Sequence, residues 1–293
     1  MPNYIRKREA SIIFKNPFSG QMKLFLKGLL FLGILLPIWS CSDDDEVEER
    51  SWSLVWEDEF EGPAGQSPDA NSWNFDLGRG PNGDGWGNRE LQTYTDNPEN
   101  VSLDGQGNLN ITASNAGGFT SARITTKGKV EQKYGRFEAR IKLPYGPGLW
   151  PAFWMLGSNI DTAPWPQCGE IDIMEFKGQE PNIIHGSMHG PGYFKDEPIT
   201  KTFGFADDRF DFNFYVFAIE WDENSVDYYV DDILYQRISR DDIPQEGEWV
   251  FDEPFYILLN VAIGGSFVGF PSSQTEFPQS MVVDYVRIYR AAN

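Results

Sequence analysis

From Trp52 to Tyr289 the chain runs in short stretches where apolar and polar residues alternate, each closed by Gly, Pro, Asn or Asp. A period of two is the pattern of strands whose two faces meet different surroundings, and the turn residues between them close hairpins. The pattern predicts strands within Val101–Ala113, broken at Asp104-Gly105-Gln106-Gly107, and over Tyr134–Leu143. More follow over Phe214–Trp221, Val226–Val230, Ile233–Tyr235, Tyr256–Ala262 and Met281–Tyr289. No amphipathic helix of convincing length interrupts them. Many short strands without helices predict an all-β sandwich of two antiparallel sheets. A single domain over 52–293 accommodates them all.

One predicted strand carries chemistry. In Gly169-Glu170-Ile171-Asp172-Ile173-Met174-Glu175-Phe176, three carboxylates are interleaved with apolar residues. Alternation puts Glu170 and Asp172 on one face and would send Glu175 to the other. One extra residue, Met174, taken up as a β-bulge brings Glu175 back to join them. Three acids on one wall raise one another's pKa, so one can stay protonated near neutral pH while another is ionised. The same spacing also describes a half-exposed edge strand with a solvated acidic face.

Composition narrows the partners. Aromatic residues make up 15% of the chain, which suits strands. The formal charge of −20 argues against nucleic acid or an anionic membrane surface. Ahead of the domain, an apolar run from Leu24 to Ile38 follows Lys23 and ends at Trp39-Ser40-Cys41. It is short for a membrane span and fits a signal-peptide core. Residues 1–41 thus read as a lipoprotein leader with Cys41 as the lipidated residue, and Met22 offers a second start. An uncleaved anchor with a free cysteine is the competing reading. Residues 42–51, rich in Asp and Glu, read as a solvated tether. Cys168 is left without a partner, and a neutral packing thiol is favoured over a nucleophile.

The stretch Gly169–Glu175 resembles the active-site strand of glycoside hydrolase family 16 in its bulged form, which marks laminarinases, agarases and carrageenases off from unbulged lichenases. The resemblance spans the whole domain. Trp56-Glu57-Asp58-Glu59-Phe60, Gly87–Thr95, Gly135–Arg140, Gly148–Leu156 and Tyr215–Trp221 all match family segments, with Tyr215 where histidine is common. It implies a jelly roll with a concave cleft, Glu170 as nucleophile, Glu175 as general acid/base and Asp172 as their helper. Retention is implied too. Spacing alone leaves Glu170 and Glu175 about 13 Å apart along the strand, whereas a retaining pair needs roughly 5–5.5 Å.

Sugar-binding chemistry has its own signature, since apolar sugar faces stack on aromatic rings. Trp150 and Trp154 share a strand face with Ala152, opposite Pro151, Phe153 and Met155. The laminarinase resemblance carries over Asn88, Arg89, Trp150, Trp154 and Trp165 as glucan contacts. His185 and His189 share strand parity, and the glycines between and after them disfavour a helical metal pair. Cleft lining is the better reading, with His189 matching a family H-G-P-G segment. Asp284 is expected on the apolar face of Val282, Val286 and Ile288, where it needs a partner. The family's convex-side calcium would use Asp284, with Gly107 and Glu59 as further ligands. The chemistry itself needs no cofactor.

The expected function is retaining, endo-acting hydrolysis of β-1,3-glucan by a monomer held at the outer membrane by its lipid, facing the cell surface. A galactan hydrolase of the agarase or carrageenase kind and a non-catalytic surface glycan-binding protein are the alternatives. Intact Glu170, Asp172 and Glu175 speak against the second, and the Asn88–Thr95 segment speaks against the first.

Overall fold

The computed structural model describes residues 51–292. The expected leader, Cys41 and nearly all of the acidic tether lie outside the described residues. Eighteen strands follow in chain order. They begin with β1 (Trp52–Asp58), β2 (Asn74–Phe75), β3 (Thr93–Tyr94), β4 (Val101–Leu103), β5 (Leu109–Ala113) and β6 (Thr120–Ser121). Next come β7 (Arg123–Thr125), β8 (Glu131–Gln132), β9 (Gly135–Lys142), β10 (Leu149–Gly157), β11 (Glu170–Phe176) and β12 (Ile183–His189). The series closes with β13 (Ile199–Gly204), β14 (Tyr215–Trp221), β15 (Ser225–Val230), β16 (Ile233–Ser239), β17 (Phe255–Ile263) and β18 (Gln279–Ala291). Every strand predicted from alternation forms, usually within two residues of its expected ends.

Two antiparallel sheets of eight strands each carry the fold. One runs β16-β15-β14-β9-β18-β5-β4, with β1 also paired to β18. The other, which holds the acidic strand, runs β13-β12-β11-β10-β17-β7-β2, with β8 also paired to β17. Their inner faces meet in one large core. Phe153 and Met155 of β10 and Ile171, Ile173 and Phe176 of β11 bury into it, with Phe137 and Ile141 of β9, Phe217 and Ile219 of β14 and Val283 of β18. The outer face of the β11 sheet is left to build the cleft. Strand β17 is buried at all of its positions because cleft side chains cover its outer face as well. Gly135 lets β9 lie against β18: its φ is +126°, and a Cβ there would fall 2.0 Å from the Tyr289 carbonyl oxygen.

Strand β18 corrects the expected setting of Asp284. A register shift between Val283 and Tyr285 breaks the alternation. Met281, Val283, Val286 and Ile288 turn inward, while Val282 and Asp284 are half-buried on the outer face. Asp284 therefore does not share a face with Val286 and Ile288, and it is ion-paired to Arg140.

Candidate active site

Strand β11 gathers the acids, and its neighbours show how. Against β12, Asp172 pairs with Ser187 and Glu175 with His185, so three steps on β11 match two on β12. Against β10, Trp154 pairs with Asp172 and Phe153 with Met174, which leaves Ile173 unmatched. The extra residue is thus accommodated by Ile173 and Met174 together, not by Met174 alone. Both side chains bury in the core, because a bulge with two apolar residues turns inward as easily as one. Glu170, Asp172 and Glu175 emerge on the cleft face as the bulge reading requires.

The three acids differ in how far they are covered. Asp172 is only 3% exposed, while Glu170 and Glu175 are half-buried. Burial and the neighbouring Asp172 charge push the Glu170 carboxyl up to about 8, against the pull of His189, Trp165 and Arg123. Burial lifts Asp172 to about 7. Glu175 is raised well above the usual carboxylate range, by burial first and then by the charges of Asp172 and Glu170. A carboxyl held in its protonated form near neutral pH is what a general acid requires, and Glu175 is raised in that direction. The Trp150 indole N–H donates to Glu175 Oε1 at 3.0 Å and fixes the carboxyl in place.

His189 belongs to the same cluster. Its Nε2 lies 3.1 Å from Asp172 Oδ2, close but off the line of a formed hydrogen bond, and 3.9 Å from Glu170 Oε1. Its Nδ1 accepts the Lys195 backbone N–H at 3.2 Å, so in the neutral ring the proton sits on Nε2, toward the acids. Ligating atoms of Glu170, Asp172 and His189 all lie within 4.8 Å of one another. Trp165 stands beside this cluster, 6.3 Å from the His189 ring and edge-on to Phe194 at 5.4 Å. On the other flank, burial and the Lys177 charge hold His185 down to about 4, so its imidazole is neutral at ordinary pH. Cys168 is fully buried and its thiol is raised to about 11 by burial, which makes it a packing residue.

The sugar-contacting residues are placed around the acids. Trp150 and Trp154 both project into the cleft, and Ala152 lies between them on β10. Trp154 donates its indole N–H to Asn260 Oδ1 at 2.7 Å. Asn88 and Arg89 lie on a turn, Gly85–Arg89, where Trp86 and Arg89 adopt positive φ. Asn88 donates to buried Glu90, its backbone oxygen accepts from Ser266, and the exposed Arg89 lies over Phe270. Four residues not expected as sugar contacts also line this region: Glu90, Arg123, Asn260 and Phe267. Phe267 packs on Trp150 at 5.1 Å and on His185 at 5.2 Å. Single-strand alternation carries no mark for such contacts, because they join segments far apart in sequence.

The expected cation ligands are less well matched. The end of β1 and the start of β5 flank β18 along one edge near Asp284. Gly107 approaches the Glu59 main-chain oxygen there. The two carboxylates, however, are already engaged: Asp284 with Arg140, and Glu59 with Arg287 at 2.7 Å. The Asp284 and Glu59 carboxylates thus face arginines, and Gly107 can offer only its main-chain oxygen. Tyr215 is buried against Phe205 and Phe210 in the core, so the family's histidine position is structural in this chain.

Comparison with known proteins agrees with this arrangement. Residues 88–287 match the family described as glycosyl hydrolases family 16. The chain is 37% identical over 285 residues to a β-glucanase of Rhodothermus marinus, covering 94% of this chain and 98% of that protein. The laminarinase catalytic domain of Thermotoga maritima is similar in structure, with TM-score 0.77, 46% identity, and coverage of 83% of this chain and 99% of that one. The endo-β-1,3-glucanase of Pyrococcus furiosus superposes with TM-score 0.79 at 45% identity, covering 85% and 98%. The matched residues include the strand that holds all three acids, and the chain belongs to glycosyl hydrolase family 16.

Proposed function

We propose that this chain cleaves β-1,3-glucosidic bonds within laminarin-type glucans, with retention of configuration. The observation that carries the reading is Glu170, Asp172 and Glu175 gathered on one face by the β11 bulge, with the Trp150 indole donating to Glu175. In the first step, Glu175 protonates the glycosidic oxygen while the Glu170 carboxylate attacks C1. The C1–oxygen bond breaks, a glycosyl ester to Glu170 forms, and the reducing-side chain leaves as an alcohol. In the second step, Glu175, now a carboxylate, takes a proton from water as the water oxygen attacks C1. The ester breaks and Glu170 is released ionised. Asp172 lies between the two glutamates in sequence and on their face, where its charge acts on both of them.

Product analysis on purified polysaccharides tests this reading. Laminarin is expected to give short oligosaccharides whose first products are β-configured. Mixed-linkage glucan should be cut more slowly, and agarose, carrageenan and cellulose hardly at all. More oligosaccharide from agarose than from laminarin would instead support a galactan hydrolase, and binding of glucan without turnover would support a lectin-like role. We further propose that the enzyme is a monomer anchored through lipidated Cys41 and exposed at the cell surface. The apolar run ending at Cys41 and the acidic residues that follow it support this. Labelled fatty acid should enter the wild-type precursor in a lipoprotein-processing host and be lost in Cys41→Ala.

A further inference from the structure

The residues that follow His189 form a closed loop that returns to its ring. Gly190-Pro191-Gly192-Tyr193 is a tight turn: the Tyr193 N–H donates to the Gly190 oxygen and the Gly190 N–H to the Tyr193 oxygen, both at 3.0 Å. Proline at the second position and glycine at the third, with a φ of +88°, are what a type II turn requires. Tyr193 is buried, and its hydroxyl donates to the Glu248 main-chain oxygen at 2.9 Å, which ties the turn to the body of the domain. Past this anchor Lys195 curls back with a φ of +58°, in the left-handed region that a residue with a Cβ rarely adopts. Lys195 is exposed, so burial of its side chain does not offset that strain. What the conformation delivers is one backbone N–H, placed 3.2 Å from Nδ1 of His189.

A neutral imidazole has one proton for two nitrogens, and a donor at Nδ1 decides where that proton sits. With Nδ1 accepting, Nε2 carries the N–H, 3.1 Å from Asp172 Oδ2 and 3.9 Å from Glu170 Oε1. Asp172 is deeply buried, and no described group completes an aligned hydrogen bond to its Oδ2. An N–H there favours a carboxylate at Asp172. The other tautomer would set a lone pair against the same oxygen and favour a protonated acid. Hydrogen bonds of a catalytic site commonly tighten once substrate is bound, so a small turn of the ring is enough to align this one. The loop also braces the flank of the imidazole. The Phe194 ring lies 5.4 Å and the Lys195 ammonium 6.0 Å from the Trp165 ring, which itself stands 6.3 Å from His189.

We infer that Lys195 is a positioning residue for hydrolysis: its backbone N–H, set in place by the Gly190–Tyr193 turn, fixes His189 as a hydrogen-bond donor toward Asp172. The role belongs to the main chain and not to the lysine side chain. It rests on the proposed assignment of the acids, but the state of the ring is read without substrate, so either can fail while the other holds. Two substitutions separate main chain from side chain. Lys195→Gly keeps the N–H and adopts a positive φ without strain. Lys195→Pro removes the N–H and cannot adopt that φ.

The chain holds only two histidines, so NMR of the full chain with labelled histidine nitrogens reports on two rings, which His185→Gln assigns. At a pH where both are neutral, Nδ1 of His189 is expected to show the shift of an unprotonated ring nitrogen and Nε2 that of a protonated one. The opposite tautomer, or an even mixture, in the wild-type chain overturns the inference. Lys195→Gly should keep the wild-type signature and Lys195→Pro should lose it. In Lys195→Pro, kcat on laminarin should also fall roughly three- to tenfold, with KM changed less, as expected for one hydrogen bond's worth of positioning. A signature lost in Lys195→Gly as well would assign the effect to the side chain. A signature kept in Lys195→Pro would mean that other contacts fix the ring, and a fall in kcat without a change of tautomer would mean structural damage alone. Each of these overturns the inference. Should Lys195→Pro fail to fold, the wild-type and Lys195→Gly spectra still decide. If laminarin is not cleaved at all, the glucan reading fails by itself and the tautomer still decides Lys195.

Discussion

Glu170, Asp172 and Glu175 are each harder to ionise in the folded chain than in the unfolded one. A group whose folded pKa is raised contributes stability that is complete at low pH and lost as pH rises through the folded value. For Glu170, raised to about 8, and Asp172, raised to about 7, that loss begins in the ordinary carboxylate range near pH 4. The wild-type site is therefore strained at alkaline pH, and Glu170→Gln relieves part of the strain without changing side-chain shape. This variant is expected to melt above wild type at pH 8, by about 2–4 °C for each kcal/mol relieved, with the gap closing toward pH 4. A gap of equal size at both pH values would refute the electrostatic account. Turnover should fall by at least about 10²–10⁴-fold in both Glu170→Gln and Glu175→Gln. Azide should restore Glu175→Ala on a substrate with a good leaving group, because the glycosyl ester still forms there. Trp150→Phe keeps an aromatic wall but removes the N–H that donates to Glu175. It should therefore lower kcat as well as weaken binding, and a purely KM effect would mean that this hydrogen bond is idle. The acids were legible because their spacing lies within one strand. Arg123 was not, since its setting joins residues 86, 123 and 154 from three separate segments.

At the scale of the element, the bulge in β11 is what alternation could predict and what it left imprecise. That Glu175 must rejoin Glu170 and Asp172 follows from parity alone. Which residue is left unmatched does not, because Ile173 and Met174 are both apolar and both reach the core. In β18 the same device misled, because a bulge at Asp284 leaves no compositional mark among residues that suit either face. Parity supports a sharp prediction for β11. Deleting Met174 leaves Glu-Ile-Asp-Ile-Glu, a regular strand that still sets three acids on one face. Deleting Ile173 as well leaves Glu-Ile-Asp-Glu, in which alternation turns the last glutamate toward the core. The single deletion should retain hydrolysis well above the level of Glu175→Gln, despite losing a buried side chain worth about 2–5 kcal/mol. The double deletion should fall to that level or fail to fold. Equal activities in the two variants would show that face, as set by parity, is not what places the acid.

Across the whole molecule, the sheet order could not be read from the sequence without the family resemblance. Strands far apart in the chain, such as β7, β10 and β17, become neighbours in the cleft sheet, and alternation within each says nothing of its partner. The net charge, by contrast, was legible from composition, and it acts at long range. A chain carrying −20 repels sulfated polysaccharides at the cleft and is indifferent to neutral ones. Raising ionic strength from about 0.01 M to about 0.15 M shortens the reach of that repulsion from about 30 Å to about 8 Å. Cleavage of laminarin is therefore expected to change little over this range, because stacking and hydrogen bonds to a neutral sugar hold it. Any residual activity on an anionic galactan should rise with salt, through kcat/KM and not kcat, since screening eases the approach and leaves the chemistry alone. Steady-state kinetics on the two polysaccharides at matched pH measure both trends. A steep fall of laminarin cleavage with salt would mean that ion pairing holds the substrate, which a neutral glucan cannot supply.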